Sequence, residues 1–134
     1  MEQGIEITIG PGELVDRLTI LRLRAEHVGD PILKVAIARQ LDMLERLRDG
    51  LQASANLRDT ENALGTVNAK LWNAEDKVRE LVAKGDLGAA FVSVARSILE
   101  LNDERSRLKT RIDELFKWST TDFKCYSKDC DKEN

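Results

Sequence analysis

Six polar residues of this chain combine side chains that bind ions or small molecules with spacings that suit a helix. They form three pairs: Glu13 and Asp16, Asn68 and Glu75, and Asn102 and Arg105. Separations of three and seven residues place both members of a pair on one side of a helix. If the three helices lie side by side, acid, amide and guanidinium groups meet in one network, which is our candidate ligand site.

Arg105 interrupts an otherwise apolar heptad, which indicates that it lies inside the protein. Alternating steps of three and four residues connect Phe91, Val94, Ile98, Leu101, Arg105, Leu108, Ile112 and Leu115. Such a seam packs against partner helices, where an isolated charge is strongly unfavourable. We therefore predict that a carboxylate or a ligand pairs with Arg105, and Glu75 and Asp16 are the candidate residues.

Two functions are compatible with this polar centre. In the first, the network only fixes how the helices pack, and the chain is a protein-interaction or scaffold module. Its working surface is then a second apolar face of the first helix, at Ile20 and Leu23, or an end of the bundle. Its partner is another protein or a second copy, as a homodimer. In the second function, the bundle binds a small molecule or an anion at Arg105.

A third interpretation is a metal-dependent nucleotide phosphohydrolase. Acidic residues that could bind magnesium lie close together at Glu13 and Asp16, Glu75 and Asp76, and Glu100 and Asp103. All-helical nucleotide pyrophosphohydrolases are similar in that they use acidic pairs on bundle helices. Because a chain with 24 acidic residues produces such spacings often by chance, this interpretation ranks last.

The remaining residues do not indicate catalysis. His27 is the only histidine, and no triad is assembled around it. The turn of Gly10, Pro11 and Gly12 lacks both a dinucleotide fingerprint and a Walker lysine. Cys125 and Cys130 cannot complete a four-ligand zinc site. We predict no catalytic residue, no metal site and no cofactor, and the sequence leaves open whether the chain is an enzyme.

The apolar periodicity predicts a mainly α fold with about four helices in an antiparallel bundle. The predicted helices extend from about Glu13 to Val28, from Asp30 and Pro31 to the Gly50–Asn56 region, from Asp59 or Thr60 to Lys84, and from Leu87 to Lys117, with Asp86 as the cap of the last. Two clean heptad seams, on the third and fourth helices, are typical of a coiled-coil packing.

A short β-strand is predicted before the first helix. Ile5, Ile7 and Ile9 alternate with polar residues, which is typical of a half-buried strand. A single strand exposes unpaired backbone groups and therefore requires a partner. The candidates are the segment Phe123–Tyr126 and the same strand of a second copy.

Length and charge limit the remaining possibilities. The 134 residues are enough for one helical domain, residues 1–118, followed by a polar tail, residues 119–134. The 21 basic and 24 acidic side chains are interspersed, so we expect no nucleic-acid partner. We find neither an apolar run of about 20 residues nor a signal peptide, which predicts a cytoplasmic protein that does not bind membranes.

Three segments resemble a family of short helical proteins from bacteria and phages that is known only as a domain of unknown function. They are Gly12–Leu21, then Asn68 with Leu71, Trp72, Glu75 and Asp76, then Ala95–Ser97 with Asn102, Asp103 and Arg105. The resemblance covers most of residues 5 to 112, and the combination of the three segments is its specific part. It implies no activity, substrate, cofactor or partner, and it does not extend to the cysteine-containing tail.

Overall fold

The computed structural model describes residues 2–119, which form four helices. These are α1 (Pro11–His27), α2 (Pro31–Asp49), α3 (Ala55–Ala83) and α4 (Ala89–Leu115). The mainly α prediction is therefore confirmed. The segment Phe123–Tyr126 and the two cysteines, Cys125 and Cys130, lie outside the described residues.

The N-terminal strand prediction is wrong. Residues 2–10 have no regular secondary structure, and Ile5 and Ile7 are exposed. Apolar alternation creates a strand face only when a neighbouring strand satisfies the backbone, and residues 2–119 contain no strand.

The start of α1 depends on a close approach to α4. Pro11 occupies the first turn, where its missing N–H costs nothing. The Gly12 N–H donates a hydrogen bond of 2.8 Å to the Asp113 carboxylate of α4. A side chain on Gly12 would collide with the Lys109 carbonyl oxygen, so glycine lets the two backbones meet. The two helices are thus joined at the residue where α1 begins.

Helices α3 and α4 form a long antiparallel hairpin that carries the apolar core. The main cluster of buried apolar side chains comes from the hairpin and from α1 and consists of Val15, Leu57, Leu64, Val67, Leu71, Leu108 and Ile112. In the heptad predicted on α4, Leu108 and Ile112 of the C-terminal half are buried, and Leu101 and Arg105 at the centre are half-buried. The α3 prediction starts too late, because Ser54 caps the helix by accepting a hydrogen bond from the Leu57 N–H.

The cap predicted for α4 is also wrong. The N-cap is Gly88, which provides no side-chain bond. The Asp86 carboxylate instead accepts from the Gly88 N–H at 3.3 Å, in the turn before the helix.

Helix α2 is attached differently from the other three. Its backbone approaches only α1, whereas α1 also packs against α3 and α4. None of its 19 residues is buried. The molecule is therefore a three-helix core of α1, α3 and α4, with α2 added on the outside of α1. None of the described helices is long and apolar enough to cross a membrane.

Two glycine substitutions test this packing in opposite directions. Gly12→Ala forces α1 away from the Lys109 carbonyl, so we expect it to lower the free energy of unfolding by about 2 kcal/mol. In Gly65→Ala, inside α3, the added methyl group meets only the Thr19 methyl at 3.9 Å. Because alanine has a higher helix propensity than glycine, we expect this variant to raise the free energy of unfolding by about 0.5–1 kcal/mol. Urea unfolding of both variants measures the two effects. A neutral Gly12→Ala would contradict the close α1–α4 contact.

Candidate functional site

The Asp16 carboxylate is the centre of a polar network between three helices. Asp16 is only 1% exposed and lies among largely apolar neighbours along α1. Oδ1 accepts hydrogen bonds from Arg105 Nε at 2.9 Å and from Asn68 Nδ2 at 3.0 Å. Oδ2 accepts from Arg105 Nη2 at 2.6 Å. Donors from α3 and α4 therefore satisfy both oxygens of a carboxylate that α1 supplies.

Arg105 binds Asp16 in the two-pronged geometry that suits a guanidinium and a carboxylate. The hydrogen bonds to Asp16 raise the pKa of Arg105 above its ordinary value, against the opposing effect of burial. The arginine side chain remains 31% exposed, so the partners are buried unequally. The prediction that a carboxylate pairs with Arg105 is confirmed, and Asp16 is that partner.

Asn68 connects the ion pair to a hydroxyl on α1. Its amide nitrogen donates to Asp16 Oδ1 and, at 2.8 Å, to Thr19 Oγ1. Thr19 Oγ1 in turn donates to the backbone carbonyl of Asp16 at 2.8 Å. Asn68 is therefore fixed by two bonds to the same stretch of α1.

Glu13 forms a second ion pair one turn before Asp16. Lys109 Nζ lies 2.6 Å from Glu13 Oε2 and 3.8 Å from Asp16 Oδ2. Arg17 Nε donates to Glu13 Oε1 at 3.0 Å. Burial would raise the pKa of Glu13, but the bonds from Lys109 and Arg17 outweigh it, and the pKa lies below its ordinary value. Two adjacent carboxylates of α1 thus share the basic side chains of α4.

Asp113 of α4 forms a separate contact at the start of α1, where it accepts from the Gly12 N–H. Burial raises the pKa of this carboxyl above its ordinary value, although the bond from the Gly12 N–H partly opposes the shift. The Gly12 amide, which a phosphate could otherwise use, is occupied by a side chain of the protein itself.

A second polar cluster, which the sequence reasoning missed, joins α1, α2 and α3. Glu61 of α3 accepts hydrogen bonds from Arg48 of α2, the shortest being 2.7 Å from Nη2 to Oε2. Arg22 of α1 lies 3.5 Å from the same carboxylate and also pairs with Glu45 of α2 at 3.0 Å. A signal was present, because Glu61 lies seven residues before Asn68 and therefore on the same side of α3.

Two of the predicted site residues are not part of the network. Asn102 is exposed, so the prediction that its amide points into the interior is wrong. Asn102 lies three residues from Arg105, and this spacing alone does not decide whether a side chain points into the core. Glu75 is also exposed and forms no hydrogen bond or ion pair with Arg105. Four of the six residues, Glu13, Asp16, Asn68 and Arg105, do come together.

The residues predicted at an interface, Ile20 and Leu23, are half-buried on a helix with three neighbours. An interface there remains a prediction. The neighbouring His27 ring stacks on Trp72, with ring centroids 4.5 Å apart. The two most exposed large apolar side chains of the helices, Ile32 at 80% and Leu99 at 68%, lie elsewhere, on α2 and α4.

The buried polar atoms of the network are paired with one another. Within residues 2–119, no buried side-chain nitrogen or oxygen lacks a hydrogen-bond partner. The same residues contain no group of three or more histidine, cysteine, aspartate or glutamate side chains that could hold a metal ion. The acidic pairs that suggested a phosphohydrolase therefore do not converge from different helices. The bonds of the network join α1 to α3 and α4.

The chain belongs to the family of unknown function DUF6165, whose family model matches residues 5–130. The match includes all four helices and both polar clusters. No curated protein and no solved structure matches the chain.

The charge balance at Asp16 can be tested with Asn68→Asp. This change replaces a donor by a second carboxylate about 3 Å from the first, so we expect a loss of about 3 kcal/mol in the free energy of unfolding at pH 7.5. Repulsion raises the pKa of the introduced carboxyl above its unfolded value. The folded variant therefore binds a proton more tightly than the unfolded chain, and the loss shrinks as the pH falls to 5.

The matched control is Asn73→Asp, which adds the same charge at an exposed position of α3. Urea unfolding at pH 7.5 and pH 5 should show little effect of this control at either pH. If Asn68→Asp were equally harmless, Asp16 would not be the buried acceptor described above.

Proposed function

We propose that this member of a family of unknown function is a protein-interaction module. The three-helix core supplies a rigid support, and helix α2 supplies the working surface. The network around Asp16 has a structural role in this proposal, because it fixes the position of α1, and α1 carries α2.

The observation that carries the proposal is the exposure of α2. Five large apolar side chains of this helix have exposed fractions between 52% for Leu33 and 80% for Ile32, the others being Val35, Met43 and Leu47. An amphipathic helix in a globular protein ordinarily buries its apolar stripe against its neighbours. Large apolar side chains that remain exposed on one helix are the feature expected of a binding site for another protein.

The alternative of an anion or small-molecule site at Arg105 has less support. Both Nε and Nη2 of Arg105 donate to Asp16, so an anion bound in the same two-pronged way would have to displace a carboxylate that is already paired and buried. Removing one partner of such a pair is costly because the other charge is left buried. We therefore place the binding function on α2 and not in the polar centre.

A double substitution on α2 tests the proposal. Leu33→Asp/Met43→Asp removes the apolar surface, and because both residues are more than half exposed we expect the melting temperature to change by no more than a few degrees. The variant should nevertheless reproduce the growth cost of deleting the gene in its native host, measured by competition against wild-type cells under conditions where deletion has such a cost.

The matched control is Val92→Asp/Leu99→Asp, which changes two similarly exposed apolar residues of α4. This control should compete like the wild type. The proposal fails if the α2 variant is folded and competes as well as the α4 variant.

A further inference from the structure

We propose that α2 binds a single amphipathic helix of another protein, and that acidic residues border the apolar seam of that helix. This inference rests on the proposed function and names the class of partner. It follows from the spacing, surroundings and charge of one stripe of α2.

Helix α2 has two apolar stripes, and only one of them faces α1. The side facing α1 contains the half-buried residues Ile37, Leu41, Leu44 and Arg48. A second stripe, which we call the outer stripe, lies about a quarter of a turn away at 100° per residue. It consists of Leu33, Ala36, Gln40, Met43 and Leu47, and all five are exposed.

The outer stripe has the spacing of a helix-pairing surface. Its members follow steps of three, four, three and four residues, which keep a seam facing one partner helix. A helix of 19 residues is about 28 Å long, enough for several turns of contact. Gln40 lies in the middle of the seam, where a single polar residue is typical of pairing with a defined register.

The apolar surface continues beyond the end of the stripe. Leu47 also lines an open groove of about 350 Å³ between the start of α1 and the end of α4. The other large apolar residues that line it are Ile9, Leu14, Leu51, Phe116 and Trp118. A partner helix on the outer stripe can therefore place one further apolar side chain in this groove, a recognition mode in which a helix lies along an apolar surface.

The border of the outer stripe is basic. Arg39 and Arg46 are seven residues apart, so they lie on the same side of the stripe. Arg39 forms no ion pair within residues 2–119, and Arg46 pairs only with Asp42, with both side chains largely exposed. Such exposed pairs contribute little and are readily exchanged. The acidic residues of α2 near this side, Asp42 and Asp49, lie further round the helix, away from the stripe.

This charge pattern does not suit a second copy of the chain. Two copies of α2 packed antiparallel about the middle of the stripe would bring the two Arg39 side chains together. Two copies packed in parallel would place Arg39 opposite Leu44, where no acid meets it. A helix with glutamates beside its apolar seam satisfies both arginines.

The experiment uses the full chain and two designed 21-residue helical peptides. Both peptides have leucine at the seam positions. One has glutamate and the other lysine on both sides of the seam. Isothermal titration at about 50 mM salt should show at least tenfold tighter binding of the glutamate peptide, and the difference should shrink at about 500 mM salt because screening weakens exposed charge pairs.

Charge reversal provides the decisive comparison. Arg39→Glu/Arg46→Glu should reverse the preference in favour of the lysine peptide. Arg96→Glu/Arg107→Glu, which changes two exposed arginines of α4 that form no ion pair within residues 2–119, should leave it unchanged. Met43→Asp should weaken the binding of both peptides to the wild-type chain.

Each other result overturns the inference in a recognisable way. If both peptides bound equally and Met43→Asp abolished their binding, α2 would be an interaction surface that does not select its partner by charge. The proposed function would then stand, and the proposed acidic partner would be wrong. If neither peptide bound, the proposal that α2 binds an amphipathic helix would be wrong. A dimer through α2 in sedimentation equilibrium, abolished by Met43→Asp, would show that a second copy occupies the stripe.

Discussion

Burial of the Asp16 carboxylate is the constraint on which the arrangement of the helices depends. A carboxylate with 1% exposure requires a compensating cation and several donors. Here the cation comes from α4 and the amide donor from α3, so the carboxylate is satisfied only where α1 meets both helices. An apolar contact tolerates sliding, whereas these directed bonds define one register. The Gly12 contact with α4 adds a steric condition at the start of α1.

The same arrangement explains why α2 is free on one side. Helix α1 uses its Asp16 and Thr19 side against the α3–α4 hairpin, and the backbone of α2 approaches only α1. The Arg48–Glu61 and Arg22–Glu45 pairs then hold α2 in place. These ion pairs attach one side of α2 without covering the outer stripe. Helix α2 is thus held by the core but not buried, and its outer stripe stays exposed, as the proposed partner requires.

The features that the sequence predicted correctly are those set by periodicity and by the cost of an unpaired charge. Arg105 in an apolar heptad had to find a carboxylate, and Asp16 was one of two candidates. The features that it missed depend on details finer than a helical turn. Asn102 is exposed although it lies only three residues from Arg105. The Ile5–Ile9 alternation has no neighbouring strand among residues 2–119. The spacing from Glu61 to Asn68 indicates the side of α3 on which Glu61 lies, but it does not identify Arg48 of α2 as its partner.

The central claim is that Asp16 and Arg105 act as one energetic unit. A double-mutant cycle measured by urea unfolding tests it, with Asp16→Asn, Arg105→Met and the combination of the two. Arg105→Met leaves a buried charge without its cation, whereas the double variant leaves none, so the double variant should be the more stable of these two. The account predicts a coupling energy of about 2 kcal/mol or more. Additive effects, with a coupling below about 0.5 kcal/mol, would contradict it.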